Sequence, residues 1–255
     1  MKILLISSRF YPFTGGVENV VLNLAKAFKA KGHEVLVSAS KMGKAQRRKE
    51  LVEGIEVNRV WMNLPRTPLG FLAFPIRFGI GLIGLIRIIR KFEPDVINYH
   101  FPDDSSVYVW LAHSLMKNPS HSLTSSRKDL RGQRIPDPGG RGIEEVSPAA
   151  DEKLAGLPLI LNIHGNDLQV FGKKIWYRFF LKKLINKAQT VIVNSTYIKK
   201  DLQSNFSNAK GKTKIIPNAV DERFFGLNKE TNNEGKKPAR GKTSEVKFSE
   251  TSEVG

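Results

Sequence analysis

The sequence predicts an α/β fold: a single Rossmann-like domain with a parallel sheet and helices on both faces. Three observations carry that expectation. Short apolar runs alternate with longer amphipathic segments along most of the chain. Near the start, the apolar run Ile3 to Ile6, the pair Gly15-Gly16 and the amphipathic stretch Val17 to Lys31 stand in the order strand, turn, helix. Further apolar runs recur at crossover spacing, which parallel strands require and hairpins do not.

Taken in order, Lys2 to Ser7 reads as a buried strand. The helix that follows places Val17, Val20, Val21, Leu24, Ala25 and Phe28 on one face, and Gly32 stops it. Glu34 to Ala39 and Ile55 to Trp61 read as strands, with a basic loop from Lys41 to Lys49 between them. Leu69 to Phe92 is the most apolar stretch. Pro75, Arg77, Arg87 and Arg90 argue against a membrane span, because charge at a helix centre is costly in a bilayer. A helix from about Pro75, buried on one side and ending before Pro94, fits better.

Asp95 to Tyr99 then reads as a strand and Asp104 to Met116 as a helix. From 117 to 156, Pro, Gly, Ser and Arg accumulate and apolar periodicity stops, so this segment is expected to be a disordered insertion, with a short helix near Ala149 to Leu154. Strand, helix, strand, helix, strand resume with Leu157 to Ile163, Lys173 to Asn186, Thr190 to Asn194, Ser195 to Phe206 and Lys214 to Ile216. The domain so read spans residues 1–225 and holds about seven strands. Residues 226–255, rich in Lys, Glu, Thr, Ser and Gly, are expected to be a disordered tail.

Composition narrows the chemistry. The chain has no cysteine, which excludes disulfides, thiolate metal sites and thiol nucleophiles and fits a reducing compartment. Its opening residues show no cleavable leader pattern. Of a net charge of +17, +7 falls on residues 1–116 and +8 on residues 157–226, so the excess lies on the patterned segments. Such a surface favours anionic partners or simply solubilises the protein. No nucleic-acid motif or aromatic stacking surface accompanies the lysines, and no nucleic-acid partner is expected. No metal-ligand cluster and no Ser/His/Asp wording appears.

Gly15-Gly16 opens a helix after a strand. Backbone amides without partners and the helix dipole meet there, an arrangement suited to an anion. Neither the dinucleotide fingerprint nor the phosphate-loop motif is present. His100 and His164 each stand at the end of a predicted strand, where parallel sheets place ligands. Glu18 fits an acceptor contact, or the first helical turn, where a carboxylate is favourable in any case. Asp103-Asp104 and Ser195 read as helix caps. His33 reads as structural; His113 and His121 are expected to be inert.

The wording around these residues resembles retaining glycosyltransferases of the GT-B fold, family four. Pro12-Phe-Thr-Gly15-Gly16-Val-Glu18, Leu24-Ala25 and Gly32-His33-Glu34-Val35 match the opening of that family. Pro94-Asp95-Val96-Ile97 with His100, Ile163-His164-Gly165, Val191-Ile-Val-Asn-Ser195 and Ile216-Pro217-Asn218-Ala219-Val220-Asp221 follow in its order. The resemblance covers roughly 1–116 and 157–225. It implies the N-terminal, acceptor-side half of a two-domain enzyme that takes a nucleotide-sugar donor. It further implies that Gly15 and Gly16 approach the donor diphosphate and that His164 supports the chemistry; His100 and Glu18, from their own positions, are the candidates to face a glycan or glycolipid acceptor. No cofactor and no metal are implied.

The chain departs from the family after Asp221. An Arg/Lys pair and a paired-glutamate element should follow there, and a polar tail follows instead. The donor-binding half is therefore expected to be missing, leaving the chain inactive or very weak alone, with a separate donor-domain chain as a partner. The alternative is a non-catalytic module, derived from such an enzyme, that binds a membrane or a partner. Arg87, Arg90 and Lys91 cluster at one helix end beside Phe71, Phe74, Ile76 and Phe78. That combination predicts binding to an anionic membrane surface. The expected setting is cytoplasmic, peripheral at the inner face of the cell membrane, in cell-envelope synthesis.

Overall fold

The computed structural model describes residues 1–13, 15–43, 46–65, 72–116, 153–154, 156–165, 168 and 174–218. The chain divides into Met1–Asn218 and Ala219–Gly255, and the second unit, with the expected polar tail, lies outside the described residues. In chain order the elements are β1 (Lys2–Ser7), α1 (Gly16–Ala30), β2 (Glu34–Ser40), β3 (Lys49–Val52), β4 (Ile55–Val60), α2 (Phe74–Phe92), β5 (Val96–His100) and α3 (Ser106–Met116). After these come β6 (Leu159–Ile163), α4 (Ile175–Lys187), β7 (Thr190–Val193), α5 (Thr196–Asn205), a 3-10 turn (Ser207–Ala209) and β8 (Thr213–Ile215).

The strands form one sheet in the order β3-β4-β2-β1-β5-β6-β7-β8. Every neighbouring pair is parallel except β3–β4. The chain leaves β1 toward β2 and later returns on its other side to β5. The strand order thus reverses between β1 and β5, where open α/β sheets bind ligands at their carboxyl ends.

Side chains alternate along each strand, so β1 faces two cores. Ile3 and Leu5 join Val37, Ala39, Ile55 and Val57 under Val21, Leu22 and Ala25 of α1. Leu4 and Ile6 join Leu36, Ile97, Tyr99, Leu159, Leu161, Val191 and Val193, packed against the remaining helices. Each fully buried aliphatic side chain contributes roughly 1.5–3 kcal/mol. Helices thus lie on both faces, as the patterning implies.

Several ends of elements follow from local chemistry. Gly32, at φ 80, closes α1: its amide donates to the Lys29 carbonyl, the His33 amide donates to the Phe28 carbonyl, and the two rings pack together. His33 is structural in this sense. Ser195 caps α5, its Oγ accepting from the Ile198 amide at 3.3 Å. Asp103 Oδ1 accepts from the Ser105 amide and from Ser105 Oγ, both at 2.8 Å, just ahead of α3. His113 is buried in α3, and its Nε2 donates to the Leu157 carbonyl at 2.9 Å, so this ring ties a helix to the segment entering β6.

Three expectations need correction. Among the described residues the sheet has eight strands, not about seven, because Lys49–Val52 pairs antiparallel with β4. Glu53 and Gly54, at φ 48 and φ 79, make the tight turn between them. Arg59 of β4 explains why so polar a strand is held. Its shielded guanidinium donates from Nε to Glu50 Oε1 at 2.6 Å, pairs again with Glu50 through its terminal nitrogen, and donates to the Tyr11 carbonyl. The hairpin is thereby tied to the loop that enters the glycine turn.

Second, Lys153 and Leu154, within the stretch read as an insertion, belong to the fold. Leu154 is buried in the larger core. Lys153 pairs with Asp95 Oδ1 at 2.7 Å, and Asp95 also accepts from the Lys2 amide at 2.6 Å. The lysine, and after it that amide, hold the Asp95 carboxyl below the usual carboxylate range. The remainder of 117–156, apart from Gly156, lies outside the described residues, as does His121.

Third, the side chains of α2 divide differently from the membrane expectation. Phe78 turns inward against Tyr108, ring centroids 4.7 Å apart, and Phe74 packs on it at 5.5 Å. Ile76 does face outward, and the other outward-facing apolar residues are Leu72, just ahead of the helix, Ile80 and Ile83. Arg87 and Lys91 are exposed, whereas Arg90 is half-buried with its Nε shielded. Phe71 lies outside the described residues. No helix among the described residues is long and apolar enough to cross a membrane.

Candidate functional site

The carboxyl edge of the sheet gathers the ends of β1, β5, β6, β7 and β8. The glycine pair arrives first. Gly15 is the N-cap of α1, and its carbonyl accepts the Asn19 amide at 3.1 Å, the first helical bond. The amides of the first turn have no carbonyl one turn earlier to bond, so they point out of the helix end.

The two glycines do different work. A Cβ on Gly15 would lie 2.5 Å from Glu18 Oε2 and 3.2 Å from its Cδ, whereas one on Gly16 would meet nothing within 4 Å. Glu18 is buried at 7% exposure, with its carboxylate folded back over the N-cap. A glutamate three residues past the cap commonly turns back this way, where the dipole favours its charge. Gly15 makes room for that carboxylate, and Gly16 opens onto the cleft.

That cleft has a volume of about 310 Å³ and is lined by Gly16, Val17, Val20, His164, Gly165, Asn194 and Asn218. Residues far apart in sequence meet there because each follows a parallel strand or opens the helix after one. His164 directly follows β6, and Gly165 at φ 51 turns the chain away. Asn194 follows β7. Asn218 lies just past β8. Both asparagines stand in the family-like phrases, yet neither was singled out; the usable signal was a polar residue immediately after a buried parallel strand.

His100 ends β5 opposite Asn162 of β6, so His164, two residues further on, shares its face. The two rings stack with centroids 5.4 Å apart and planes 17° apart. His100 Nδ1 and His164 Nε2 lie 3.1 Å apart, within hydrogen-bond reach. His100 is 1% exposed, and its Nε2 is shielded without a partner. Burial pushes His100 down to about 3, helped by the neighbouring ring, and pushes His164 down to about 4. Both rings are neutral at ordinary pH. One turn below them on the same face, Asn162 donates through its amide to Asn98 Oδ1, and both side chains are buried.

Of the residues singled out from sequence, the fold brings Gly15, Gly16, Glu18, His100 and His164 to this edge of the sheet. Arg87, Arg90 and Lys91 stand apart from it on α2. Asp103, near the β1–β5 switch point, has its carboxyl pushed up by burial. Among the described residues no group of three or more His, Asp or Glu could hold a metal ion.

Comparison with known proteins bears on this geometry. Residues 14–123 and 146–224 match Glycosyltransferase Family 4. The GDP-mannose-dependent alpha-mannosyltransferase of Mycobacterium tuberculosis (strain CDC 1551 / Oshkosh) is 28% identical over 107 residues, covering 40% of this chain and 26% of that protein. Sucrose-phosphate synthase (tll1590) from Thermosynechococcus elongatus superposes with a TM-score of 0.55 at 16% identity, over 87% of this chain and 49% of that one. Anabaena Alr3699/HepE in complex with UDP-glucose superposes with a TM-score of 0.50 at 19% identity, over 88% and 46%. At such identities the structures share the fold. The chain spans about half the length of the two solved proteins, 49% and 46%, and matches 26% of the mannosyltransferase. With a family match across most of its residues and this sheet order beneath it, the chain belongs to glycosyltransferase family 4 and has the Rossmann-like architecture of the N-terminal half of a GT-B fold.

Proposed function

We propose that the chain is the acceptor-side half of a glycosyltransferase that moves a sugar from a nucleotide-sugar donor to a saccharide or lipid-linked acceptor. The observation that carries this reading is the cleft lined by Gly16, His164, Asn194 and Asn218 at the carboxyl edge of a parallel sheet. Relatives named for GDP-mannose or solved with UDP-glucose share a diphosphate-linked sugar as the donor type.

In this reading Gly15 and Gly16 form the turn whose amides face the donor diphosphate, with Gly16 nearest to it. A helix start supplies partial positive charge without a side chain. His164, neutral and at the cleft wall, stands beside the reacting sugar and acts by hydrogen bonding. His100 and Glu18 belong to the acceptor side. Amides and cationic side chains stabilise the leaving diphosphate, with no cofactor and no metal. A donor-binding half supplies the opposite wall of the cleft, either further along the protein or on a separate chain.

The decisive experiment measures transfer and hydrolysis of UDP- and GDP-sugars by the purified chain, with and without a chain carrying the donor-binding half. Turnover is expected only with both. Turnover by this chain alone would refute the half-site, and none with the donor half present would refute glycosyl transfer.

The apolar stripe on α2 favours a second function for the same chain, peripheral attachment to an anionic membrane. Ile76, Ile80 and Ile83 lie on one side of the helix at 71%, 52% and 40% exposure, with Leu72 just ahead of the helix at 84% and Arg87 and Lys91 continuing that side. Apolar side chains followed by cations suit a headgroup boundary. Attachment would bring the cleft to a lipid-linked acceptor at the cytoplasmic face, in cell-envelope synthesis. Without transfer activity, the same surface describes a non-catalytic membrane- or partner-binding module.

A further inference from the structure

Two cations converge on one indole ring at the carboxyl edge of the sheet. Lys41 Nζ lies 5.6 Å from the centroid of the Trp61 ring, and the Arg77 guanidinium lies 5.4 Å from the same centroid. Among the described residues the ion pairs are Lys26–Glu53, Arg59–Glu50 and Lys153–Asp95, so no carboxylate there neutralises either cation.

The backbone brings these three residues together. Lys41 directly follows β2 and Trp61 follows β4, neighbouring parallel strands, so both stand at carboxyl ends. The Lys41 amide donates to the Val60 carbonyl at 2.8 Å, and Asn63 Nδ2 donates to the Lys41 carbonyl at 3.2 Å, which holds the lysine backbone beside Trp61. A helix that crosses from one parallel strand to the next begins at this edge. The first turns of α2 therefore lie here, and Arg87, Arg90 and Lys91 lie toward its far end. Gly81 lets α2 come close, because a Cβ there would run into the Trp61 carbonyl. Arg77 stands four residues before Gly81 on the same helical face, which sets it over the ring.

An indole face attracts a cation, but two cations on one ring also repel each other. An anion between them would relieve that repulsion. Position says which molecule would bring it. The lining residues His164, Asn194 and Asn218 follow β6, β7 and β8, on one side of β1, whereas Lys41 and Trp61 follow β2 and β4 on the other. The cations thus stand on the acceptor's side of the cleft, across β1 from the strands whose ends line it. The geometry points to Lys41, Arg77 and Trp61 as the seat of a phosphate ester carried by the acceptor. A phosphate monoester carries close to two negative charges at neutral pH and matches two cations, where a carboxylate matches one. Arg77 offers a planar fork for its oxygens and Lys41 a point charge. This rests on the acceptor-side reading and narrows the acceptor to a phosphorylated one.

The test is a fluorine NMR titration of the full chain labelled with 5-fluorotryptophan, which reports on its three tryptophans. Trp61→Phe identifies the Trp61 signal; should that variant not fold, Trp110→Phe and Trp176→Phe identify it by elimination. The probes are glucose 6-phosphate and phosphatidylcholine vesicles with and without phosphatidic acid. Glucose and glucuronate at matched ionic strength are the controls. The Trp61 signal is expected to respond saturably to a phosphate ester and not to the controls. A response to glucose 6-phosphate identifies a soluble phosphorylated acceptor, and a response to phosphatidic acid vesicles alone identifies a lipid-borne phosphate. Lys41→Ala and Arg77→Ala should each weaken that response roughly fivefold. No response to either phosphate, an equal response to glucose or glucuronate, or one that both variants leave intact would overturn the proposal. Sugar transfer without a phosphate response would overturn this inference alone. Phosphate binding without transfer in the presence of the donor half would overturn only the functional reading.

Discussion

A methyl group on Gly15 would come within 2.5 Å of Glu18 Oε2, a carboxylate that is itself buried over the start of α1. Gly15→Ala must therefore displace the carboxylate from a site where the helix end favours it. Only a flexible side-chain end has to move, so we expect a loss of about 0.3–1 kcal/mol in chemical denaturation, the size of a carboxylate's interaction with a helix start. Gly16→Ala has open space and should leave stability unchanged or raise it by up to about 1 kcal/mol. Because Gly16 lines the cleft, the same change should weaken nucleotide-sugar binding in calorimetry. Stability and binding are thus expected to separate across adjacent glycines.

A second glycine contrast tests the packing of α2. A Cβ on Gly81 would run into the Trp61 carbonyl and lie 3.0 Å from the Tyr108 ring, while one on Gly79 would meet nothing within 4 Å. Gly81→Ala requires backbone to move and should cost about 3 kcal/mol or more. Gly79→Ala should stabilise by about 0.5–1 kcal/mol through helix propensity. Thermal melts of the two variants give the comparison, and equal effects would show that α2 does not approach Trp61 so closely.

The histidine pair predicts how stability responds to acid. Folded, His100 and His164 resist protonation until about pH 3 and about pH 4; unfolded, each takes a proton near the ordinary value of 6.5. Between those limits the unfolded chain binds more protons, so stability is full above about pH 6.5 and falls as pH drops toward 4. The slope from the pair should reach up to about 3 kcal/mol per pH unit. Denaturation curves from pH 7 to pH 4 measure it. Relative to the unsubstituted chain, His100→Phe should lower the slope by about half.

Membrane attachment through α2 predicts flotation with vesicles containing anionic lipid, weakening as salt rises. Each exposed cation near the surface contributes about 1 kcal/mol. Ile76→Asp with Ile80→Asp should abolish flotation while leaving the melting temperature nearly unchanged, because both side chains already face outward. Arg87→Ala should weaken flotation, and Arg90→Ala should weaken it less, since Arg90 is half-buried. Flotation that ignores both isoleucines would remove α2 as the contact.

Much of this architecture could be read before any tertiary contact was known. Period-two and period-three-to-four apolar patterns located the elements of the larger sheet and of the helices, since burying one face imposes the period. The Gly32 stop and the Ser195 cap are likewise local chemistry. β3 escaped because four residues of mixed polarity at a sheet edge bury too little to leave a pattern. Its anchor, Arg59, acts across the hairpin and across to Tyr11. The inward turn of Phe78 escaped for a related reason: an all-round apolar helix does not reveal which side meets Tyr108.

At the site the division is sharper. The amino-acid sequence determined that a glycine turn opens α1, that histidines end two strands, and that these phrases follow the order of family 4. It could not pair His100 with His164, which are 64 residues apart and meet only because β5 and β6 lie side by side in register. Nor could it bring Asn194 and Asn218 to the wall that Gly16 shares, or show that Glu18 fills the space beside Gly15. Local patterns act over a few residues through helix and strand geometry. The cleft is made by strand order, which is a property of the folded sheet.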